Sequence, residues 1–108
     1  KLKDLGFNIS LGTDSLASNF SLSLFAEMQL LRDTHPWLAP ERILEMTTTS
    51  PARALQQESV LGKIRPGFHA DLIALPIENL GSNISEAVVA WPGTVEWMLV
   101  AGSPTPRL

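Results

Sequence analysis

Gly6-Phe7-Asn8-Ile9-Ser10-Leu11-Gly12-Thr13-Asp14-Ser15 is the stretch from which the fold is read. Phe7, Ile9 and Leu11 alternate with polar residues, the period of a short strand. The strand then ends by presenting a carboxylate among small residues, ahead of a helix. In parallel α/β proteins the C-terminal ends of strands are where chemistry is assembled. Asp14 is thereby placed to bind a metal or to move a proton. From spacing alone a turn-closing role is favoured, since Asp closes turns readily. No other residue supplies an obvious partner for it.

Working outward, residues 1–57 read as a strand followed by helices. Ser18 or Asn19 is expected to cap a first helix, because a short polar side chain accepts from orphan N–H groups. Phe20, Leu24, Met28 and Leu31 recur at helical spacing, with Glu27 and Arg32 on a wetter flank. His35-Pro36 closes that helix, because the residue before Pro avoids the α region. Pro40 suits the first turn of a second helix with Ile43, Leu44 and Met46 inward. Ser50-Pro51 is expected to repeat the device for a third helix reaching Ala54-Leu55.

Residues 58–108 read as strands and turns. Leu61 to Ile64 is a short extended piece, and Arg65-Pro66-Gly67-Phe68 signals a type II turn. Ala70 to Leu75 reads as a buried strand stopped by Pro76, and Ile77 to Ser85 as a loop. Glu86 to Trp91 and Thr94 to Ala101 read as two further strands separated by Pro92-Gly93. The last is apolar on both faces, the pattern of a strand covered on two sides.

Composition narrows the function classes. The chain has 108 residues, enough for one small core, with 44% hydrophobic and 18% charged residues. A net charge of -3 leaves no basic face for nucleic acid. The count of Cys is 0, which excludes disulfides and thiolate metal sites and is compatible with the cytoplasm. No apolar run is long enough to span a bilayer. The chain opens on Lys1, as the middle of something longer would.

Three runs carry a resemblance to a known family. Leu11-Gly12-Thr13-Asp14-Ser15-Leu16-Ala17-Ser18-Asn19, followed by Ser21 to Met28, resembles the last barrel strand of the amidohydrolase superfamily. Thr48-Thr49-Ser50-Pro51-Ala52-Arg53-Ala54-Leu55 resembles that family's late helix. Leu61-Gly62-Lys63-Ile64-Arg65-Pro66-Gly67-Phe68-His69-Ala70-Asp71-Leu72-Ile73 resembles its turn into a C-terminal β-sandwich. The closest branch is that of chlorohydrolases and purine-nucleoside deaminases, including methylthioadenosine/adenosylhomocysteine deaminases.

The resemblance implies an α/β fold: residues 1–57 as the last strand and helices of a (β/α)8 barrel, residues 58–108 as strands of a composite β-sandwich. It implies hydrolysis of C–N or C–Cl bonds of a nitrogen heterocycle, an aminated purine nucleoside above all. The cofactor implied is a divalent metal, zinc or alternatively iron, held by a His-x-His pair and further His residues upstream. Only His35 and His69 occur here, neither in the matching context. The expected chain is therefore the C-terminal part of a larger enzyme, inactive and metal-free alone. Asp14 matches the family residue that contacts the metal or its bound water and relays the proton. Ser15, Ser18 and Asn19 would line the substrate mouth, although turn and capping chemistry also explain them.

The other candidates have plainer readings. His35 is expected as a solvated helix end and His69 as a surface turn. Asp71 is expected to bond turn N–H groups, and Trp91 and Trp97 to anchor a core or an interface. A serine nucleophile lacks both an activating His and the Gly-x-Ser-x-Gly turn. The partners expected are the rest of the parent chain and a small heterocycle, without nucleic acid or membrane. Unpaired sheet edges would also favour oligomers. A rival reading is an autonomous, non-catalytic β-rich binding or assembly module.

Overall fold

In the computed structural model the described residues are 5–14, 23–78, 81 and 83–105. Helix α1 spans Leu24–Thr34, α2 Pro40–Glu45, α3 Thr49–Ala54 and α4 Ile84–Val89. Strands β1 (Leu72–Ala74), β2 (Trp97–Val100) and β3 (Ser103–Pro104) form an antiparallel sheet in the order β1-β2-β3. Leu72 pairs with Leu99, Ala74 with Trp97, and Val100 with Ser103. None of the described helices is long and apolar enough to cross a membrane.

Local punctuation sets the helix ends. Ser23 caps α1 by accepting the Ala26 N–H at 3.3 Å, and His35 closes it with its N–H on the Leu31 carbonyl. Ser18, Asn19 and Phe20 lie outside the described residues. Pro40 opens α2 with its fixed φ. The start of α3 differs from the expectation: Thr48 is its N-cap, and Ser50 sits wholly buried inside the first turn. Two residues past the cap and inside the helix, the Ser50 hydroxyl is buried and has no hydrogen-bond partner among the described residues.

The core is small and joins both halves of the chain. Met28, Ile43 and Val89 are buried together, with Leu11, Phe25, Leu31, Leu38 and Leu44 packed around them. Full burial of Ile43 or Val89 is worth about 1.5–3 kcal/mol each. Arg32 ties α1 to α4 by donating to Glu86 Oε1 at 3.0 Å, and Gln29 donates to the Trp91 carbonyl at 2.7 Å.

Several expected strands are corrected. Glu86 to Trp91, read as a strand, forms α4 up to Val89, which also takes Ile84 and Ser85 from the expected loop. Asn83 accepts the Glu86 N–H at 2.9 Å, so a helix cap decides an apolar run that suits either period. Residues 7–12 and 61–64 enter no ladder among the described residues. A strand exists through its neighbours' hydrogen bonds, and the 7–12 stretch instead sends the Leu11 N–H to the Met46 carbonyl at 2.9 Å. β1 and β2 are shorter than expected and half open, with Ile73 at 45% and Val100 at 48% exposure.

The turn over residues 65–68 behaves as read. Phe68 N–H reaches the Arg65 carbonyl at 3.1 Å with Gly67 at φ +87°, the type II arrangement. A tight approach fixes Gly62: a Cβ there would stand 2.9 Å from the Thr48 carbonyl oxygen and 3.1 Å from Ala52 Cβ.

Candidate active site

Asp14 stands at the end of residues 7–14, and the helical layer decides where that stretch lies. Asn8 Nδ2 donates to the Ser50 carbonyl at 2.8 Å, and Arg53 Nη1 donates to Asn8 Oδ1 at 3.4 Å. Farther along, the Leu11 N–H is bonded to the carbonyl of Met46, the C-cap of α2. The stretch is thus fastened to the α2–α3 junction at both ends of a short run.

Asp14 itself is exposed and has φ +57°, the left-handed region. Non-glycine residues reach that region at a cost of order 1 kcal/mol, with Asp and Asn among the more tolerant. Thr13 Oγ1 donates to the Asp14 carbonyl at 3.3 Å. Ser15, Ser18 and Asn19, the other site residues expected from sequence, lie outside the described residues.

The remaining ionisable candidates are dispersed. His35 Nδ1 lies 2.9 Å from Thr34 Oγ1, and its ring meets Trp37 edge-on at 5.6 Å, at the exposed end of α1. His69 is exposed, with its N–H on the Val60 carbonyl at 2.9 Å. Asp71 Oδ1 accepts the Ala101 N–H at 2.8 Å, the turn-bonding role expected of it. Trp91 is half-buried with its ring against Gly93, whereas Trp97 is 47% exposed.

Among the described residues no group of three or more His, Cys, Asp or Glu is gathered as a metal would require. A catalytic zinc takes about three protein ligands and one open position. The donors placed here therefore do not fit a complete metal centre, and Asp14 is at most one contributor to one. A groove of about 560 Å³ runs between α3 and β1, lined by Leu55, Leu61, Ile64, His69, Leu72 and Ile73 among others. Asp14 is not in its lining, so the groove and the carboxylate are separate features.

Sequence reasoning missed Asn8 as an anchor and α4 as part of the core. For α4 the signal was available in Asn83 and Glu86, spaced as a cap and its N3 partner. For Asn8 no local signal exists, because its partners lie on α3.

The family model of the amidohydrolase family matches residues 1–102. The 5-methylthioadenosine/S-adenosylhomocysteine deaminase of Teredinibacter turnerae is 36% identical over 86 residues, covering 73% of this chain and 20% of that protein. The enzyme of the same name from Pyrococcus furiosus is 42% identical over 79 residues, 67% of this chain and 18% of that one. The 5'-deoxyadenosine deaminase of Methanosarcina mazei is 38% identical over 85 residues, 72% of this chain and 19% of that one. The solved structure of an adenosine deaminase from Xanthomonas campestris, with bound zinc, superposes with a TM-score of 0.81. It is 28% identical, over 98% of this chain and 27% of that one. The chain thus spans about a fifth of the curated relatives' length.

Proposed function

The chain belongs to the amidohydrolase family, and from that premise we propose that it is the C-terminal part of a metal-dependent hydrolase that deaminates an aminated purine nucleoside. One observation carries the choice of deamination over dechlorination. The relatives named above, 36% to 42% identical to this chain, are all named for deaminating adenosine derivatives.

In this reading residues 1–57 end the barrel and residues 58–108 belong to the sandwich, with α4 reaching back onto α1 and α2. The metal, zinc as in the Xanthomonas campestris structure or else iron, is held by donors in the longer protein. Where bound, such an ion lowers the pKa of a water toward ~7. This chain's share is the Asp14 carboxylate, as metal contact and proton carrier. Asp14 takes a proton from the attacking water as the water oxygen bonds to the ring carbon bearing the amino group. The C–N bond then breaks, and the proton leaves with ammonia. Ser15, Ser18 and Asn19 are assigned to substrate binding in this reading. The setting is the cytoplasm, and the partners are the rest of the parent chain and the nucleoside.

The test uses the full-length protein, its zinc-loaded form and a panel of 5'-modified adenosines, following ammonia release. Asp14→Asn keeps the shape and tolerates the left-handed backbone, so it should fold normally. Its kcat is expected to fall about a hundred-fold or more. Chloride release from chlorinated triazines without ammonia release from nucleosides would overturn the substrate class. An Asp14→Asn enzyme of wild-type rate would overturn the role of Asp14.

A further inference from the structure

Asp14 has a left-handed backbone at φ +57°, and the stretch that leads to it is attached to the helical layer first at Asn8. Strain of this kind persists only where the surroundings over-determine the chain. The Asn8 side chain is used at both ends of its amide: Nδ2 donates a hydrogen bond to the Ser50 carbonyl at 2.8 Å, and Oδ1 accepts one from Arg53 Nη1 at 3.4 Å. A carbonyl and a guanidinium demand opposite ends of an amide, so the orientation of the group is fixed by its partners.

The ground it grips is firm. Ser50 is wholly buried, and the junction before it is tied down by Thr47 and Thr48, whose hydroxyls both donate to the Leu44 carbonyl at 2.9 Å and 2.8 Å. The Leu11 N–H on the Met46 carbonyl supplies the second attachment. Between them, residues 8–11 are held on the α2–α3 junction, and Asp14 follows after Gly12 and Thr13.

We propose that Asn8 is a positioning residue for Asp14: by clamping residues 8–11 to Ser50 and Arg53 it fixes where the carboxylate stands. The inference rests on the reading of Asp14 as the proton carrier and extends it to a residue that touches no substrate. Misplacing a reacting group by about 1 Å can cost up to about a hundred-fold in rate, and a loosened segment costs part of that.

The experiment uses the full-length protein and two variants. Asn8→Ala removes both bonds, whereas Asn8→Asp keeps an acceptor for Arg53 and sets a carboxylate against the Ser50 carbonyl. Both should lower kcat about tenfold with KM within about twofold. Amide hydrogen exchange at Leu11 and Asp14 should speed up about tenfold, with that of Met28 in α1 unchanged as the control for folding. Unchanged exchange at Leu11 and Asp14 overturns the clamp. Faster exchange with wild-type kcat overturns the positioning role, as does an Asn8→Asp enzyme of wild-type rate. If the wild-type protein releases no ammonia from any aminated purine nucleoside, the functional reading fails instead. The exchange measurement then still decides whether Asn8 holds the segment.

Discussion

The Asp71 carboxylate accepts the Ala101 N–H at 2.8 Å and so supports an alanine held at φ +51°. Ala101 and Gly102, the latter at φ +80°, are the two loop residues between β2 and β3, the geometry of a type I′ hairpin. The Gly102 N–H binds the Ala70 carbonyl at 3.0 Å, so this turn is stitched to the chain just ahead of β1. Asp71→Ala should therefore destabilise the protein by about 0.5–1.5 kcal/mol, the net range for a single hydrogen bond, since Asp71 is exposed. A shift of the urea midpoint reads it. Ala101→Asn, placing a residue suited to the left-handed region, should move the midpoint the other way by up to about 1 kcal/mol.

A second left-handed position ends α3. Gln57 N–H meets the Ala52 carbonyl at 2.8 Å and Gln56 N–H the Arg53 carbonyl at 3.0 Å, with Gln56 at φ +57°. This is a Schellman ending with Gln where Gly is usual. Gln56→Gly should raise stability by about 1 kcal/mol, seen as a higher Tm at unchanged far-ultraviolet circular dichroism.

Ile43 has no solvent exposure and lies against Met28 and Val89. Ile43→Ala should cost about 2–5 kcal/mol and Ile43→Val about 0.5–1.5 kcal/mol by the same denaturation measurement. Similar losses from the two would show that the site collapses around the missing atoms.

Arg32 joins α1 to α4, and its guanidinium is held above its ordinary value. The hydrogen bond that Arg32 Nε donates to the Asp33 carboxylate is the largest cause, opposed by burial and reinforced by the charges of Asp33 and Glu86. Because the folded value is the raised one, the stabilisation is complete below the unfolded value and disappears only as pH climbs through the folded one. That window is strongly alkaline. The loss on Arg32→Met should therefore be the same near about pH 6 and about pH 9. The pairs are partly exposed, so they should contribute under about 1 kcal/mol, and less at about 1 M salt.

What the sequence showed of the fold followed how local the deciding signal was. Pro36, Pro40 and Gly67 act through their own backbone, and each marks the boundary expected of it. The run from Glu86 to Trp91 is apolar enough for either period, and the cap at Asn83 outweighs its β-branched valines. Residues 7–12 have strand alternation, yet a ladder needs a neighbour, and alternation cannot name one. At the candidate site Asp14 stood out by its place after Leu11. Asn8 did not, because its partners belong to a helix that follows two others in the chain.

The burial of Val89 against Met28 and Ile43 bears on the order of events during synthesis. A ribosome delivers α1 and α2 well before α4, so their apolar faces wait open until the later helix leaves the exit tunnel. Among the described helices, the layer is completed by the one that comes last in the sequence. A chain stalled or cut between α3 and α4 would leave Ile43 facing water, a surface that chaperones and proteases recognise.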